Sequence, residues 1–190
     1  VNLQKELLHD QRVDFMYSDP PWGEGNLKYW QTMNFKMTGQ KRNPVDLDEF
    51  MNRIFALTQN VNKMIFIEYG KRWKDRVLNR AEFYGLHHLT TVELVYSSKK
   101  LPLDLHVFSK SPMAIPAGYE KSVYHTTGQD SLLRAMSPFV RPDDSILDPC
   151  CGMGYTAQFA VNHKMRFIGN ELNKARLTKT ISRLEKDPNK

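Results

Sequence analysis

Two short segments hold residue types suited to chemistry. The first, Asp19-Pro20-Pro21-Trp22, follows directly on the run Val13-Asp14-Phe15-Met16-Tyr17-Ser18. Asp19 offers a carboxylate, and the carbonyl of Pro20 is fixed in direction because consecutive prolines lock φ and bring no N–H of their own. Two acceptors at one place suit an exocyclic amine whose lone pair is delocalised into an aromatic ring. Accepting both of its N–H groups favours the pyramidal nitrogen and steadies the positive charge that develops when it attacks. Trp22 adds a flat face on which an extruded base can stack. The plainer alternative is a strand end closed by a proline turn beside a half-buried Trp.

The second segment, Asp148-Pro149-Cys150-Cys151-Gly152-Met153-Gly154, follows Ser145-Ile146-Leu147. A strand, a glycine turn and a helix let the backbone approach a nucleotide-like ligand without hindrance from Cβ atoms. Through Ala157 the glycines satisfy the loose dinucleotide pattern, and Glu171 lies about 20 residues on, where an acidic residue holds ribose hydroxyls. A nicotinamide dinucleotide and S-adenosylmethionine both fit that spacing. Asp148 favours S-adenosylmethionine, because a negative charge before the glycines suits its ammonium group and opposes a pyrophosphate. The alternatives are a purely structural turn and, for Glu171, a solvated helix start. Cys150 and Cys151 read as small, partly buried turn residues, since a cysteine nucleophile would lie in the cofactor turn, away from Asp19.

These segments must be positioned by the elements around them. Residues 3–9 read as a short helix and 13–18 as a buried strand. Residues 23–44 have no clean period, so they are expected to form a long loop. That loop carries Lys28, Tyr29, Trp30, Lys36, Lys41 and Arg42, a mixture that can follow a phosphate backbone while stacking bases, or pack on the domain as ordinary loop residues. A helix opens at Asp46-Leu47-Asp48-Glu49 and keeps an apolar face to Val61. Then come a strand over 64–68, a helix over 71–84 closed by Gly85, and a hairpin of strands over 88–96 and 103–108. Arg72 and Arg76 in the helix are either phosphate contacts or a solvated face, and His87-His88 are structural. A helix over 130–140, a strand over 145–148, a helix over 156–163, a strand over 166–169 and a helix over 174–186 complete the chain. The alternation predicts an α/β protein with a mostly parallel twisted sheet, a hairpin at its edge, helices on both faces and ligands at the carboxyl ends of the strands.

A chain of 190 residues fits a single domain spanning 1–190. Its net charge of +6 and pI near 9.3 are compatible with a polyanionic partner. No apolar run approaches the roughly 20 residues of a membrane span, and residues 1–6 lack the apolar core of a signal peptide, so the expected location is the cytoplasm. The two cysteines are sequence neighbours without a second ligand pair, and neither a disulfide nor a metal is expected.

Three segments in this order resemble a known family. His125-Thr126-Thr127-Gly128-Gln129 before a helix, the run from Ser145 through Asp148 to Gly154, and Arg166-Phe167-Ile168-Gly169-Asn170-Glu171 are similar to the pre-cofactor, cofactor and acidic-ribose motifs of the amino-methyltransferases that act on adenine N6 or cytosine N4 in DNA. With the catalytic motif ahead of the cofactor turn, the arrangement resembles the permuted β-type. The resemblance implies a Rossmann-like class I methyltransferase fold and S-adenosylmethionine as cofactor. It implies a catalytic clamp of Asp19, Pro20, Pro21 and Trp22. Asp148, Pro149, Cys150, Gly152, Gly154 and Glu171 would surround the cofactor, with Thr127 and Gln129 alongside. Trp at the fourth clamp position leans towards adenine N6, while cytosine N4, RNA, or a non-catalytic nucleic-acid-binding subunit remain alternatives. Two departures stand out. Only residues 109–124 lie where sequence-specific members insert a target-recognition region, which makes a homodimer or partner subunit an attractive expectation. Cys150-Cys151 also stand where the family more often has Phe and a variable residue.

Overall fold

The computed structural model describes residue 8 and residues 11–39, 45–96 and 101–185. Its centre is a six-stranded sheet in the order β3-β4-β2-β1-β5-β6. The strands are β1 (Val13–Ser18), β2 (Val61–Gly70), β3 (His87–Tyr96), β4 (Leu101–Ser109), β5 (Ser145–Asp148) and β6 (Arg166–Gly169). β1 runs parallel to both β2 and β5, and β5 parallel to β6, while β4 is antiparallel to β2 and β3. The expected hairpin is therefore one edge of an otherwise parallel sheet.

Alternation along β1 explains why it sits in the middle. Phe15 and Tyr17 point to one apolar cluster, Met16 to the other, and all are buried. One face is covered by α2 (Leu47–Ala56) and α3 (Lys74–Phe83), through Met51, Ile54, Phe55, Val77 and Ala81. The opposite face is covered by α5 (Gly128–Met136) and α6 (Tyr155–Asn162), through Leu132, Ala135, Phe159 and Ala160. A strand covered on both faces gains roughly 1.5–3 kcal/mol per large apolar side chain, which suits a continuous apolar run. From β1 the sheet grows outwards through β2, and from β5 it grows the other way through β6. The reversal falls between β1 and β5, the place where an open α/β sheet leaves a crevice at its carboxyl edge.

Several boundaries differ from expectation. The long loop expected over 23–44 is not seen over residues 24–38, where α1 (Glu24–Thr38) is a helix of 15 residues. It starts at Gly23, carries Glu24 in its first turn, and ends at left-handed Gly39, whose N–H bonds the carbonyl of Phe35. Leu27 is its one buried large apolar residue among those described, and Tyr29, Phe35 and Met37 are exposed. A helix that buries so little has no apolar stripe to betray it. β2 starts at Val61, earlier than expected, because Val61 pairs with Val13. The segment after β2 begins as a 3₁₀ turn, Lys71–Trp73, before α3. A short helix, α4 (Tyr119–Val123), interrupts residues 109–124, and α7 (Lys174–Glu185) closes the described chain. Of the expected helix over 3–9 only Leu8 is described, and Lys41 and Arg42 also lie outside the described residues.

Candidate active site

β1 and β5 end side by side, and their last residues open the two motifs. At the end of β1, Pro20 is buried and shares a small apolar cavity with Phe50, Met51 and Ile54, which anchors the turn to α2. Its carbonyl has no hydrogen-bond partner among the described residues. Trp22 donates its indole N–H to Oδ1 of Asp19 at 2.9 Å and meets Tyr96 of β3 edge-on, with ring centroids 5.0 Å apart. Trp22 thus aims the carboxylate three residues before it, a role that the flat-plate expectation did not include. Oδ2 of Asp19 has no partner among the described residues.

At the end of β5, Asp148 is buried and both of its oxygens serve the turn. Oδ1 accepts the N–H of Cys150 at 3.0 Å, and Oδ2 accepts the hydroxyl of Thr156 at 2.6 Å. Asp148 therefore shapes the glycine turn more than it offers a free acceptor. Gly154 has φ +79, and a Cβ there would stand 2.8 Å from Cα of Thr180 on α7. Only glycine lets the turn pass so close to that helix. Cys151 N–H bonds the carbonyl of Asn170, and Asn170 N–H bonds that of Asp148, which ties the turn to the end of β6. There Glu171 accepts the N–H of Asn173 at 2.6 Å, and Asn173 in turn caps α7 through the N–H groups of Ala175 and Arg176.

Charge is the distinctive property of the crevice. Glu68, near the end of β2, is buried and accepts the phenol of buried Tyr17. Burial raises the Glu68 carboxyl to about 8, with Asp19 and Asp148 adding repulsion and the Tyr17 bond opposing. Burial likewise raises Asp148 to about 7 against the bonds from Thr156 and Cys150, with Asp19 and Glu171 reinforcing. The surrounding protein pushes Asp19 up to about 6, opposed by the Trp22 bond and the guanidinium of Arg176. Solvent still reaches Asp19, which is exposed at the mouth of the crevice and feels that push less than a sealed group would. Tyr17 rises well above the usual phenol range by burial and its Glu68 partner, and the Cys150 thiol rises by burial and the nearby carboxylates. Such a thiol is held protonated, which speaks against a nucleophilic cysteine. No three of the described His, Cys, Asp and Glu residues are placed to hold a metal ion.

Arg176 reaches this crevice from α7 while its guanidinium lies 3.9 Å over the ring of Trp30 on α1. Asn173 contacts Met37 on the same helix. The helix that follows the clamp is thereby fastened to the helix that follows Glu171, across the carboxyl end of the sheet. Trp30 is engaged in this way and Tyr29 stands edge-on to it, 5.1 Å away, while Lys28 is exposed. Thr127 begins α5 and is exposed, as is Gln129. The carbonyl of the preceding Thr126 accepts the N–H of Val95 at 3.1 Å, beside Tyr96 and so on the Trp22 side of the crevice. Neither Thr127 nor Gln129 bonds the Asp148 turn among the described residues. Arg72 and Arg76 flank Trp73 after β2, on the far side of the clamp from the glycine turn.

Sequence reasoning missed Tyr17, Glu68, Tyr96 and Arg176. For Glu68 a signal existed, a charge closing the apolar run Met64-Ile65-Phe66-Ile67. Arg176 had none, because its approach depends on how α7 packs.

No protein-family model matches the chain, and no curated protein does. Solved structures match over nearly its whole length. M1.HpyAVI in complex with S-adenosylmethionine superposes with a TM-score of 0.67 at 17% identity, covering 96% of this chain and 93% of that one. TTHA0409, a DNA modification methylase candidate of Thermus thermophilus complexed with S-adenosyl-L-methionine, gives 0.64 at 15% identity, over 97% and 91%. The cytosine-N4-specific PvuII DNA methyltransferase gives 0.63 at 13% identity, over 95% and 83%. The fold is shared with these solved structures. The expected α/β architecture holds, including the mostly parallel sheet, its hairpin edge and helices on both faces. No helix among the described residues is long and apolar enough to cross a membrane.

Proposed function

We propose that this chain transfers the methyl group of S-adenosylmethionine to the exocyclic amine of a base in DNA, adenine N6 in preference to cytosine N4. The observation that carries this reading is the pairing of strand ends, with Asp19 directly after β1 beside the glycine turn that follows Asp148 of β5, and with Glu68 and Glu171 near them. Buried carboxyl groups that a bound cation draws into their charged form suit a cationic ligand and oppose a pyrophosphate. A sulfonium cofactor is such a ligand, and when bound it supplies an electrophilic methyl group.

The chain's own residues then have distinct tasks. Gly152 leaves the backbone open towards the cofactor, Gly154 lets the turn pass α7, Asp148 holds that turn through Cys150 and Thr156, and Glu171 stands where ribose hydroxyls are expected. Trp22 fixes Oδ1 of Asp19, so Oδ2 and the Pro20 carbonyl are the two acceptors for the amine N–H groups. An amine that accepted a methyl group would have to lose a proton. Asp19, a carboxylate pushed upwards by its surroundings and open to solvent, would take that proton and pass it to water. The adenine preference is supported by Trp22 in the fourth clamp position, whereas the fold alone is shared with a cytosine-N4-specific enzyme. The test offers unmethylated DNA, RNA and protein acceptors together with labelled cofactor. Label in DNA alone is expected, and label in protein or RNA with none in DNA overturns the reading.

A further inference from the structure

A polyanion laid over an acidic crevice needs positive points on its rim, and the described cations near the clamp are mostly spoken for. Arg176 is stacked on Trp30, Lys71 bridges to Glu93, and Arg76 lies 3.6 Å from Asp48. Arg72 differs from these, being exposed and without a carboxylate partner among the described residues. Its guanidinium is held 5.0 Å from the ring centroid of Trp73, with Arg76 at 4.9 Å from the same ring. Trp73 itself is wedged against the clamp. A Cβ at Gly23, the residue after Trp22, would stand 2.8 Å from its ring, and one at Gly70 would stand 3.5 Å from its Cδ1. Its indole nitrogen is buried without a partner, so the ring is committed to packing and to carrying the guanidinium groups. Beside it opens a pocket of about 330 Å³ lined by Glu24, Gly25, Arg72 and Trp73.

We infer that Arg72, carried on Trp73 at this pocket, binds a backbone phosphate of the DNA strand next to the base held by Asp19. The inference rests on the function proposed above. Glu24 on the pocket wall refines the ligand class: a phosphodiester with a single negative charge suffers less repulsion there than a doubly charged phosphate monoester. The pocket begins two residues after Trp22, so a phosphate in it belongs to a nucleotide close to the extruded base. Phosphate contacts of this kind fix the position of the strand without reading its sequence.

The experiment uses the full chain, a fluorescein-labelled unmethylated DNA duplex, and anisotropy across a series of NaCl concentrations. Arg72→Ala should weaken binding about tenfold and reduce the slope of log K against log salt by about 1. Arg72→Lys should recover part of that loss, because a point charge still meets the phosphate. Calorimetric affinity for S-adenosylmethionine should stay the same in both variants. Unchanged DNA affinity and salt slope in Arg72→Ala would overturn the assignment, as would a parallel loss of cofactor affinity or a preference of the parent chain for the matching RNA duplex. Failure of the proposed reaction looks different, with DNA bound in an Arg72-dependent way and no label transferred.

Discussion

The two sides of Asp19 differ in charge although they share one end of one sheet. Towards β5 and β6, Asp148 and Glu171 join Asp19. Towards the hairpin, beyond Trp22, Arg72 and Arg76 are borne on Trp73 at an open pocket, with Glu24 on its wall and Glu68 buried in β2. The proposed function places a cation and a polyanion within reach of each other, and such separation lets each ligand meet a field of opposite sign. Asp19 stands on the boundary. The side assigned to the cofactor is also the more tightly built, with both carboxylate oxygens of Asp148 bonded, whereas the side of Arg72 keeps an open pocket.

The sharpest way to break the comparison is at the boundary itself. Asp19→Ala should lower turnover on the order of 10²–10³-fold or more, by analogy with removal of one preorganised partner of a developing charge. Cofactor binding should survive, read by calorimetry, and melting temperature should hold. Turnover within a few-fold of the parent would remove Asp19 from the chemistry. On the tight side, Gly154→Ala should cost roughly 1–3 kcal/mol from the left-handed backbone alone, with more from the collision with Thr180. Its urea midpoint should fall and its stabilisation by S-adenosylmethionine should vanish. An unchanged midpoint would show that α7 yields easily. Gly25→Ala on α1 is the opposite case, with no atom within 4 Å of the added Cβ. A gain of about 0.5–1 kcal/mol is expected there.

Protonation sharpens the same contrast. In the folded chain Asp148 and Glu68 hold protons up to about 7 and 8, whereas an unfolded carboxyl loses its proton near 4. Their stabilising contribution is complete at low pH and is lost as pH rises through those values, so the cofactor-free fold weakens from about pH 4 towards pH 8. A bound cation offsets the exposed repulsion. The rise in melting temperature caused by S-adenosylmethionine should therefore be larger at pH 8 than at pH 5.5. Glu68→Gln should flatten that difference, while a rise independent of pH in the parent would mean that the acids do not feel the cofactor.

Legibility in the sequence followed burial. β1 and β5 are apolar runs ending in an unusual motif, and both were placed because a strand buried on both faces has little freedom in composition. The glycine turn and Glu171 were legible from spacing. α1 was not, since a helix that buries Leu27 and leaves Tyr29, Phe35 and Met37 exposed shows no periodic stripe. Trp30, read either as a nucleic-acid contact or as packed on the domain, is engaged by Arg176 from the far end of the chain. The Trp22 bond to Asp19 spans only three residues, yet it depends on a turn geometry that the letters Asp-Pro-Pro-Trp do not spell out.

The most direct test of the central claim is the identity of the product nucleoside. The chain is incubated with labelled S-adenosylmethionine and unmethylated DNA, and the DNA is then digested to nucleosides and separated. The account predicts label in N6-methyladenosine of the deoxy series, absent with Asp19→Ala. Label solely in a cytosine nucleoside would contradict the adenine assignment, and the absence of label from every nucleoside would contradict the proposed reaction.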